Sequence, residues 1–351
     1  MKYVLLTIIF TSKGGWILDF FSLTKQELEE YLLMRGLPKY RALQLLHWVY
    51  KKGITDTEEM TNLPKSMKGE ALGLSILPLK EELIQRSVDG TEKALLQLED
   101  GEYIETVYIP DGLRATVCFS TQVGCAMGCS FCATGKSGFS RNLSSGEIVG
   151  QLYYWKYVRK LPVTNAVAMG QGEPLANWEN FKKAIAIIND PDAFSLGARM
   201  ITVSTCGIAP RIRELGRLPW QINLSVSLHA PTDELRSQLM PINNKYPLKE
   251  LIEAVKEYIE ATNRRVTFEY TVVPGLNDGP ENARLLVGLL RGLLCHVNVI
   301  PVNPLEGKGE DPSAAEEFVR LIKSQLNVTL RRSRGSDIDA ACGQLKRKVF
   351  E

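Results

Sequence analysis

From residue 114 onward, apolar β-branched runs alternate with helix-length amphipathic segments, and no other feature restricts the fold as strongly. Strand-like runs lie at 114–120, 163–169, 199–205, 221–228, 266–273 and 296–302. Helical segments at 144–160, 177–189, 208–217, 248–262 and 280–293 separate them, and a helix at 312–325 leads to a last strand near 327–332. Strand followed by helix, repeated, needs crossover connections. The reading is therefore α/β, with parallel strands inside and helices outside, closed or partly closed as a barrel. Such barrels gather their chemistry at the C-terminal ends of the strands.

The region before the alternation reads differently. Residues 17–75 predict a small helical domain. Ser22 or Thr24 caps a helix ended by Gly36, Pro38 opens a second, and Asn62-Leu63-Pro64 starts a third. Lys39, Arg41, Lys51, Lys52, Lys65 and Lys68 make this unit locally basic, as a solvated helical face or an RNA grip. Residues 76–110 predict a short antiparallel β extension, with Asp89-Gly90 and Asp100-Gly101 at hairpin spacing. Residues 111–351 form the catalytic domain. Residues 1–16 hold a short apolar run followed by a poor cleavage site, and are expected to be an extension without fixed structure rather than a signal peptide. No later stretch is long enough to span a bilayer.

The chain has 7 cysteines among 351 residues, and three crowd into Cys125-Ala-Met-Gly-Cys129-Ser-Phe-Cys132. A secreted disulfide framework is smaller and evenly paired, so these thiols point to a metal site in a reducing cytoplasm. Structural zinc and ordinary ferredoxin clusters each take four protein ligands. Three thiolates on a 4Fe-4S cubane leave one iron open to chelate the amino and carboxylate groups of S-adenosylmethionine. C-x3-C-x2-C after a barrel strand is the radical S-adenosylmethionine (radical SAM) signature.

Further candidates sit at the strand ends. Gly172 and Glu173 follow the second strand, and Glu173 is suited to accept hydrogen bonds from the cosubstrate ammonium. Ser204, then Ser227-Leu228-His229, then Asn303 end later strands. Short polar groups there bind ribose and adenine edges, although capping and loop satisfaction use the same residues. Pattern alone gives Cys342 and Cys118 no role, and reads Cys206 and Cys295 as core residues.

Together these motifs resemble the radical SAM RNA methyltransferases that methylate an adenine of 23S rRNA, and within them the dual-specificity rRNA and tRNA adenine-C2 branch. The resemblance covers the chain after residue 16. It rests on Val123-Gly124-Cys125 with the cluster spacing, Gly172-Glu173-Pro174, Ser227-Leu228-His229-Ala230-Pro231, Met240-Pro241-Ile242-Asn243, and the run Gly335 to Leu345. It implies a partial (βα)6 radical SAM barrel with a small helical N-terminal domain and a short antiparallel β extension. It also implies methylation of adenosine 2503 in 23S rRNA and adenosine 37 in tRNA. Cys342 would be methylated and deliver the carbon, Cys118 would be its partner in a transient disulfide, and Glu105 would take a proton. Gly172, Glu173, Ser204, Ser227, Leu228, His229 and Asn303 would contact S-adenosylmethionine, two molecules of which are used per turnover. A flavodoxin or ferredoxin would supply electrons to the cluster on Cys125, Cys129 and Cys132, and the chain would act as a monomer.

Chemistry supports two cysteines. Adenine C2 lies between two ring nitrogens and is no nucleophile, so it cannot attack a sulfonium methyl, whereas a thiolate can. A carbon radical formed on that methyl can then add to C2. The net charge of +2 gives no general affinity for RNA. Contacts must come from local cations: Arg264, Arg265, Arg331, Arg332, Arg334 and Lys346-Arg347-Lys348. Two alternatives stand beside this reading: an adenine-C8 methyltransferase conferring antibiotic resistance, and a non-catalytic iron-sulfur RNA-binding protein with no need of Cys342.

Overall fold

The computed structural model describes residues 8–10, 16–302, 312–341 and 343–345. Strand β1 (Ile8–Phe10) runs antiparallel to β2 (Trp16–Asp19), so part of the opening extension expected to lack structure forms a hairpin arm, as its Ile-Ile-Phe sequence favours. Helix α1 (Lys25–Met34) starts at a capping box in which Thr24 and Glu27 each bond the other's backbone N–H. Helix α2 (Tyr40–His47) follows. The third helix expected here is replaced by two 3-10 turns, Lys65–Met67 and Gly69–Leu72. Gly69 and Gly73 both take positive φ, 53° and 67°, which stops each turn before an α-helix can propagate.

Strand β3 (Leu74–Ser75) pairs with β2. Strands β4 (Lys80–Arg86), β5 (Glu92–Gln97) and β6 (Tyr103–Asp111) then form an antiparallel meander. Its turns fall at the two expected Asp-Gly pairs. The meander continues onto β7 (Arg114–Cys118), so the β extension and the barrel share one ten-stranded sheet. After β8 (Gln122–Gly124), α3 (Ala133–Lys136), β9 (Phe139–Asn142) and α4 (Ser145–Tyr153), strand and helix alternate. The order is β10 (Asn165–Ala168), α5 (Trp178–Asn189), β11 (Ile201–Thr205), α6 (Ala209–Gly216) and β12 (Asn223–Ser227). Then come α7 (Asp233–Leu239), α8 (Leu248–Thr262), β13 (Val266–Val272), α9 (Pro280–Leu290), β14 (Cys295–Pro301), α10 (Ser313–Ile322) and β15 (Val328–Leu330). β7 and β10 to β15 lie side by side, all parallel, as a partial barrel.

Alternation along the strands sorts the two faces. Val203, Val226, Phe268 and Val297 point outward under the helices and are fully buried, a gain of roughly 1.5–3 kcal/mol each. Their neighbours Thr202, Ser225, Thr267 and Asn298 point into the barrel, whose lumen is polar. The helical N-terminal unit docks on the barrel's outer helices. A Cβ at Gly146 would fall 1.7 Å from Asp19 Oδ2, so only glycine permits that approach, and Gly146 N donates to Ser22 Oγ at 2.9 Å. Lys51 Nζ donates to the carbonyls of Pro191 and Ala193, at 2.8 and 3.0 Å. Among the described residues no helix is long and apolar enough to cross a membrane.

Candidate active site

The C-terminal strand ends enclose a cavity of about 170 Å³. Cys125, Cys129 and Cys132 line one side, and Gly172, Glu173, Ser204, Ser227 and His229 line another. The cysteine loop is tied to its surroundings by the backbone. Cys125 N donates to Gly138 O at 2.8 Å, and Ser130 N to Leu239 O at 3.0 Å. Met127, Cys129 and Phe131 pack against Cys206, Ala230, Leu239 and Met240, an apolar wall around the thiols. Burial pushes the Cys125 and Cys129 thiols up to about 12, with Glu173 and the neighbouring Cys132 adding to it. Such a site carries thiolates only beside a strong positive charge, which an iron-sulfur cluster provides. Among the described residues no three His, Cys, Asp or Glu groups converge as a single-ion site requires. Cys125, Cys129 and Cys132 face one cavity from one loop, a donor set that would hold a 4Fe-4S cluster.

Gly172 has φ 97°, and a Cβ there would meet Gln122 Cβ at 2.5 Å, so the loop lies flat against β8. Glu173 is buried, and burial raises its pKa. Its oxygens accept from Leu175 N at 3.0 Å and Cys206 N at 2.7 Å, which joins the ends of β10 and β11. A carboxylate offers about four lone-pair sites, so capacity for an ammonium group remains.

His229 holds a left-handed backbone, φ 57°, unusual for a residue with a Cβ. Its ring meets Phe131 edge-on at 4.8 Å. Nδ1 accepts from Thr271 N at 2.8 Å, so the neutral ring carries its proton on Nε2. Burial, helped by the Arg236 charge, lowers its pKa to about 3. His229 is thus a neutral Nε2–H donor at the cavity wall. Leu228 is fully buried and does not line the cavity; its backbone N donates to Glu269 O at 3.0 Å, and its carbonyl accepts from Arg236 and Ala230.

Sequence reasoning missed Arg236. It is fully buried on α7 and donates to Cys206 O (2.6 Å), Ser227 O (3.1 Å), Leu228 O (3.2 Å) and Asn243 Oδ1 (3.0 Å). One guanidinium thereby fixes the ends of β11 and β12. The Met240-Pro241-Ile242-Asn243 run has its physical reason here: Asn243 holds Arg236 and bonds Asp233. An arginine on a short helix carries no signal of this in sequence.

A second assembly lies on the inner face of β5, β6 and β7. Register places Val107 opposite both Lys93 and Cys118, and Glu105 stands two residues along the same face. Val107 and Cys118 pack with Ala340 and Leu345 of the tail. Beyond residue 342, the tail is pinned to α3: Ala133 N donates to Gly343 O at 2.7 Å and Thr134 Oγ1 to Leu345 O at 2.7 Å. Before it, Asp337 accepts from Ser87 Oγ at 2.5 Å, and Gly335 N donates to Asp89 Oδ2 at 3.1 Å. The β extension therefore holds the tail, and the tail spans from Cys118 to the helix that follows Cys132. Cys342 and Asn303 lie outside the described residues, as do Lys346, Arg347 and Lys348.

The N-terminal half of the lumen is a larger cavity, about 790 Å³. Cys118, Ala340 and Ala341 line its inner part, and Arg114, Arg264, Arg265, Arg331, Arg332 and Arg334 also line it. Arg334 Nη2 lies 3.2 Å from Asp111 Oδ1, and Arg264 bonds Asn223. In the helical unit, Lys51 is consumed by the docking described above, while Lys39, Lys52 and Lys65 are exposed.

Residues 119–286 match the radical SAM superfamily, and residues 18–72 match the ribosomal RNA large subunit methyltransferase N-terminal domain. A probable dual-specificity RNA methyltransferase RlmN of Clostridium novyi is 44% identical over 334 residues, 93% of this chain and 97% of that protein. Its counterpart in Geobacillus kaustophilus is 47% identical over 338 residues, 93% of this chain and 92% of that protein. A radical SAM methyltransferase from Sphaerobacter thermophilus, solved by crystallography, superposes with a TM-score of 0.89 at 45% identity, covering 94% of this chain and 99% of that one.

Proposed function

The chain belongs to the RlmN family of dual-specificity RNA methyltransferases, and from that premise we propose that it methylates C2 of adenosine 2503 in 23S rRNA and of adenosine 37 in tRNA. One observation supports this reading above the others. Ala340 and Leu345 pack with Cys118, and Gly343 and Leu345 bond the helix after Cys132, so the described tail residues join the second thiol to the loop of three cysteines.

Cys125, Cys129 and Cys132 would hold the 4Fe-4S cluster, and Glu173, Ser204, Ser227 and the Nε2–H of His229 would orient S-adenosylmethionine beside it. When bound, the cluster would supply the electron, received from a flavodoxin or ferredoxin, for reductive cleavage of S-adenosylmethionine to methionine and a 5′-deoxyadenosyl radical. The apolar wall of Met127, Phe131 and Met240 keeps water from that radical. Cys342 takes its methyl from a first S-adenosylmethionine as a thiolate. After that methyl loses a hydrogen atom and its carbon bonds to adenine C2, Glu105 accepts the C2 proton. Cys118 Sγ then attacks Cys342 Sγ. The sulfur–carbon bond breaks, the carbon left on the base takes up a proton, and the unpaired electron left in the ring returns to the one-electron site that supplied it; the methylated base is released, and reductant restores both thiols. The target base must leave its stack, which RNA loops permit cheaply. We place this work in the cytoplasm, by a monomer.

The test is expression in a bacterial host lacking its own adenine-C2 methyltransferase, followed by nucleoside analysis of rRNA and tRNA. The expected result is 2-methyladenosine, lost on Cys342→Ala. Finding 8-methyladenosine instead would move the chain to the resistance-conferring reaction, and neither product would overturn the RNA assignment.

A further inference from the structure

Lys93 is a buried cation for which the reaction above has no use. Its side chain is 8% exposed, and that of its partner Glu105 is 10% exposed, so both charges are nearly free of solvent. Nζ lies 3.0 Å from Glu105 Oε1 and donates to the carbonyl oxygen of Asp339 at 3.2 Å. Burying a lysine costs several kcal/mol unless its bonds are met, and a buried ion pair is no better for stability than a well-packed apolar pair. A purely structural need at this point in the sheet is met more cheaply by leucine or methionine.

Lys93 reaches two elements at once. Glu105 sits on β6, where its own carbonyl accepts from Ser120 Oγ at 2.7 Å, so its backbone is fixed, and Lys93 meets its carboxylate. Asp339 lies three residues before Cys342, on the tail. Cys118 occupies the same face, opposite Val107, which in turn stands opposite Lys93. Among the described residues, this face carries the Lys93 ammonium, the Glu105 carboxylate, the Cys118 thiol and the Asp339 carbonyl.

We propose that Lys93 is a positioning residue that keeps the Glu105 carboxylate ionised and aimed, and ties it to the tail segment that delivers Cys342. The inference rests on the reading of Glu105 as proton acceptor. In the step concerned, the adenine C2–H bond breaks, the proton passes to a Glu105 oxygen, and the bonding electron pair stays in the ring. Lys93 is neither consumed nor protonated further. An adjacent cation keeps a carboxylate in the form that can accept a proton, and its bond to the Asp339 carbonyl sets the distance between acceptor and tail. Without Lys93 the carbon–carbon bond still forms and release is delayed.

The experiment compares Lys93→Met, Lys93→Gln, Lys93→Arg and Glu105→Gln in the full chain with its cluster reconstituted. Each is given S-adenosylmethionine, a chemical reductant and transcribed tRNA. Three products are followed: 5′-deoxyadenosine, protein-linked RNA on denaturing gels, and released methyladenosine. Lys93→Met and Lys93→Gln are expected to form 5′-deoxyadenosine at the native rate, to release methyladenosine on the order of tenfold more slowly, and to accumulate protein-linked RNA. Lys93→Arg, which keeps the charge, is expected to recover most of the release. Native release by Lys93→Met overturns the proposal. So does a loss of 5′-deoxyadenosine in parallel with product that Lys93→Arg does not repair, because that marks a structural role. Glu105→Gln separates the two levels. If it accumulates protein-linked RNA and Lys93→Met does not, only the role of Lys93 falls. If it releases product at the native rate, the reading of Glu105 falls and the inference with it.

Discussion

The two halves of the barrel lumen are built from the same strands and differ in almost every physical respect. The C-terminal half is a cavity of about 170 Å³ with thiols and apolar side chains on one side and Glu173, Ser204, Ser227 and His229 on another. The N-terminal half is about 790 Å³, polar and bordered by arginines. Glu269 stands where they meet and lines both. Its Oε1 accepts from Ser225 Oγ at 2.7 Å and Asn298 Nδ2 at 3.1 Å, and its Oε2 lies 3.7 Å from Arg331 Nη1. One alternating β pattern thus makes a dry chamber at one end and a wet, cationic one at the other. The decision falls to the loops, because strand alternation alone dictates only that some side chains point inward. Radical chemistry needs the first environment and a polyanion needs the second.

If the halves are separate in function, changes in one should leave the other's task intact. The largest effect is expected for Cys129→Ala. S-adenosylmethionine cleavage and product should both fall below detection, while RNA binding measured by filter retention persists. Loss of RNA binding as well would mean that the dry chamber also shapes the wet one.

Arg236→Leu comes next. It removes the Arg236 donor from the carbonyls of Cys206 and Ser227, while Leu228 O keeps Ala230 N at 2.8 Å, at about 2 kcal/mol or more in total. Denaturant midpoints should fall accordingly, and S-adenosylmethionine affinity by calorimetry should fall more than RNA affinity. Equal losses in both would count against a role confined to the upper chamber.

His229 sharpens the comparison through pH. Its folded pKa of about 3 lies below the ordinary 6.5, so between these values the unfolded chain binds the extra proton and stability drops as pH falls. From about pH 7 to pH 5 this should cost about 2 kcal/mol. His229→Gln should lose that much less stability over the same interval, as read by thermal melts. An unchanged pH slope would show that the ring is not held neutral.

The smallest effect is expected in the wet half. Arg265 and Arg332 are exposed at the lumen. Replacing either with alanine should lower RNA affinity by about 1 kcal/mol, reduce the salt dependence of binding by about one phosphate contact, and leave 5′-deoxyadenosine formation untouched. A salt slope equal to that of the native chain would remove these residues from the RNA contact.

Much of this was legible in the chain before its structure. The change from period-two to helical patterning at residue 114 announced the barrel, because buried parallel strands and their covering helices leave strong periodic signals. Cys125, Cys129 and Cys132 announced themselves by spacing within one loop, and the structure brings them together along one cavity wall. The third N-terminal helix was misread because Gly69 and Gly73 break the backbone at two points that the apolar pattern does not reveal. Lys93 and Arg236 were invisible for a different reason. Their importance lies in partners brought by register and by loop closure, Glu105 and Asp339 for one, the ends of β11 and β12 for the other. Leu228 lies in the loop its motif marked, but its side chain is buried away from the cavity, because burial within a motif leaves no separate signal in sequence.

The account turns on carbon passing through Cys342 to RNA and being released by Cys118. The most direct measurement is therefore mass spectrometry of Cys118→Ala after turnover with S-adenosylmethionine, reductant and RNA, followed by protease and nuclease digestion. The account predicts a tail peptide in which Cys342 carries an adenosine through a methylene bridge. Released methyladenosine with no such adduct, or an adduct on another cysteine, would contradict it.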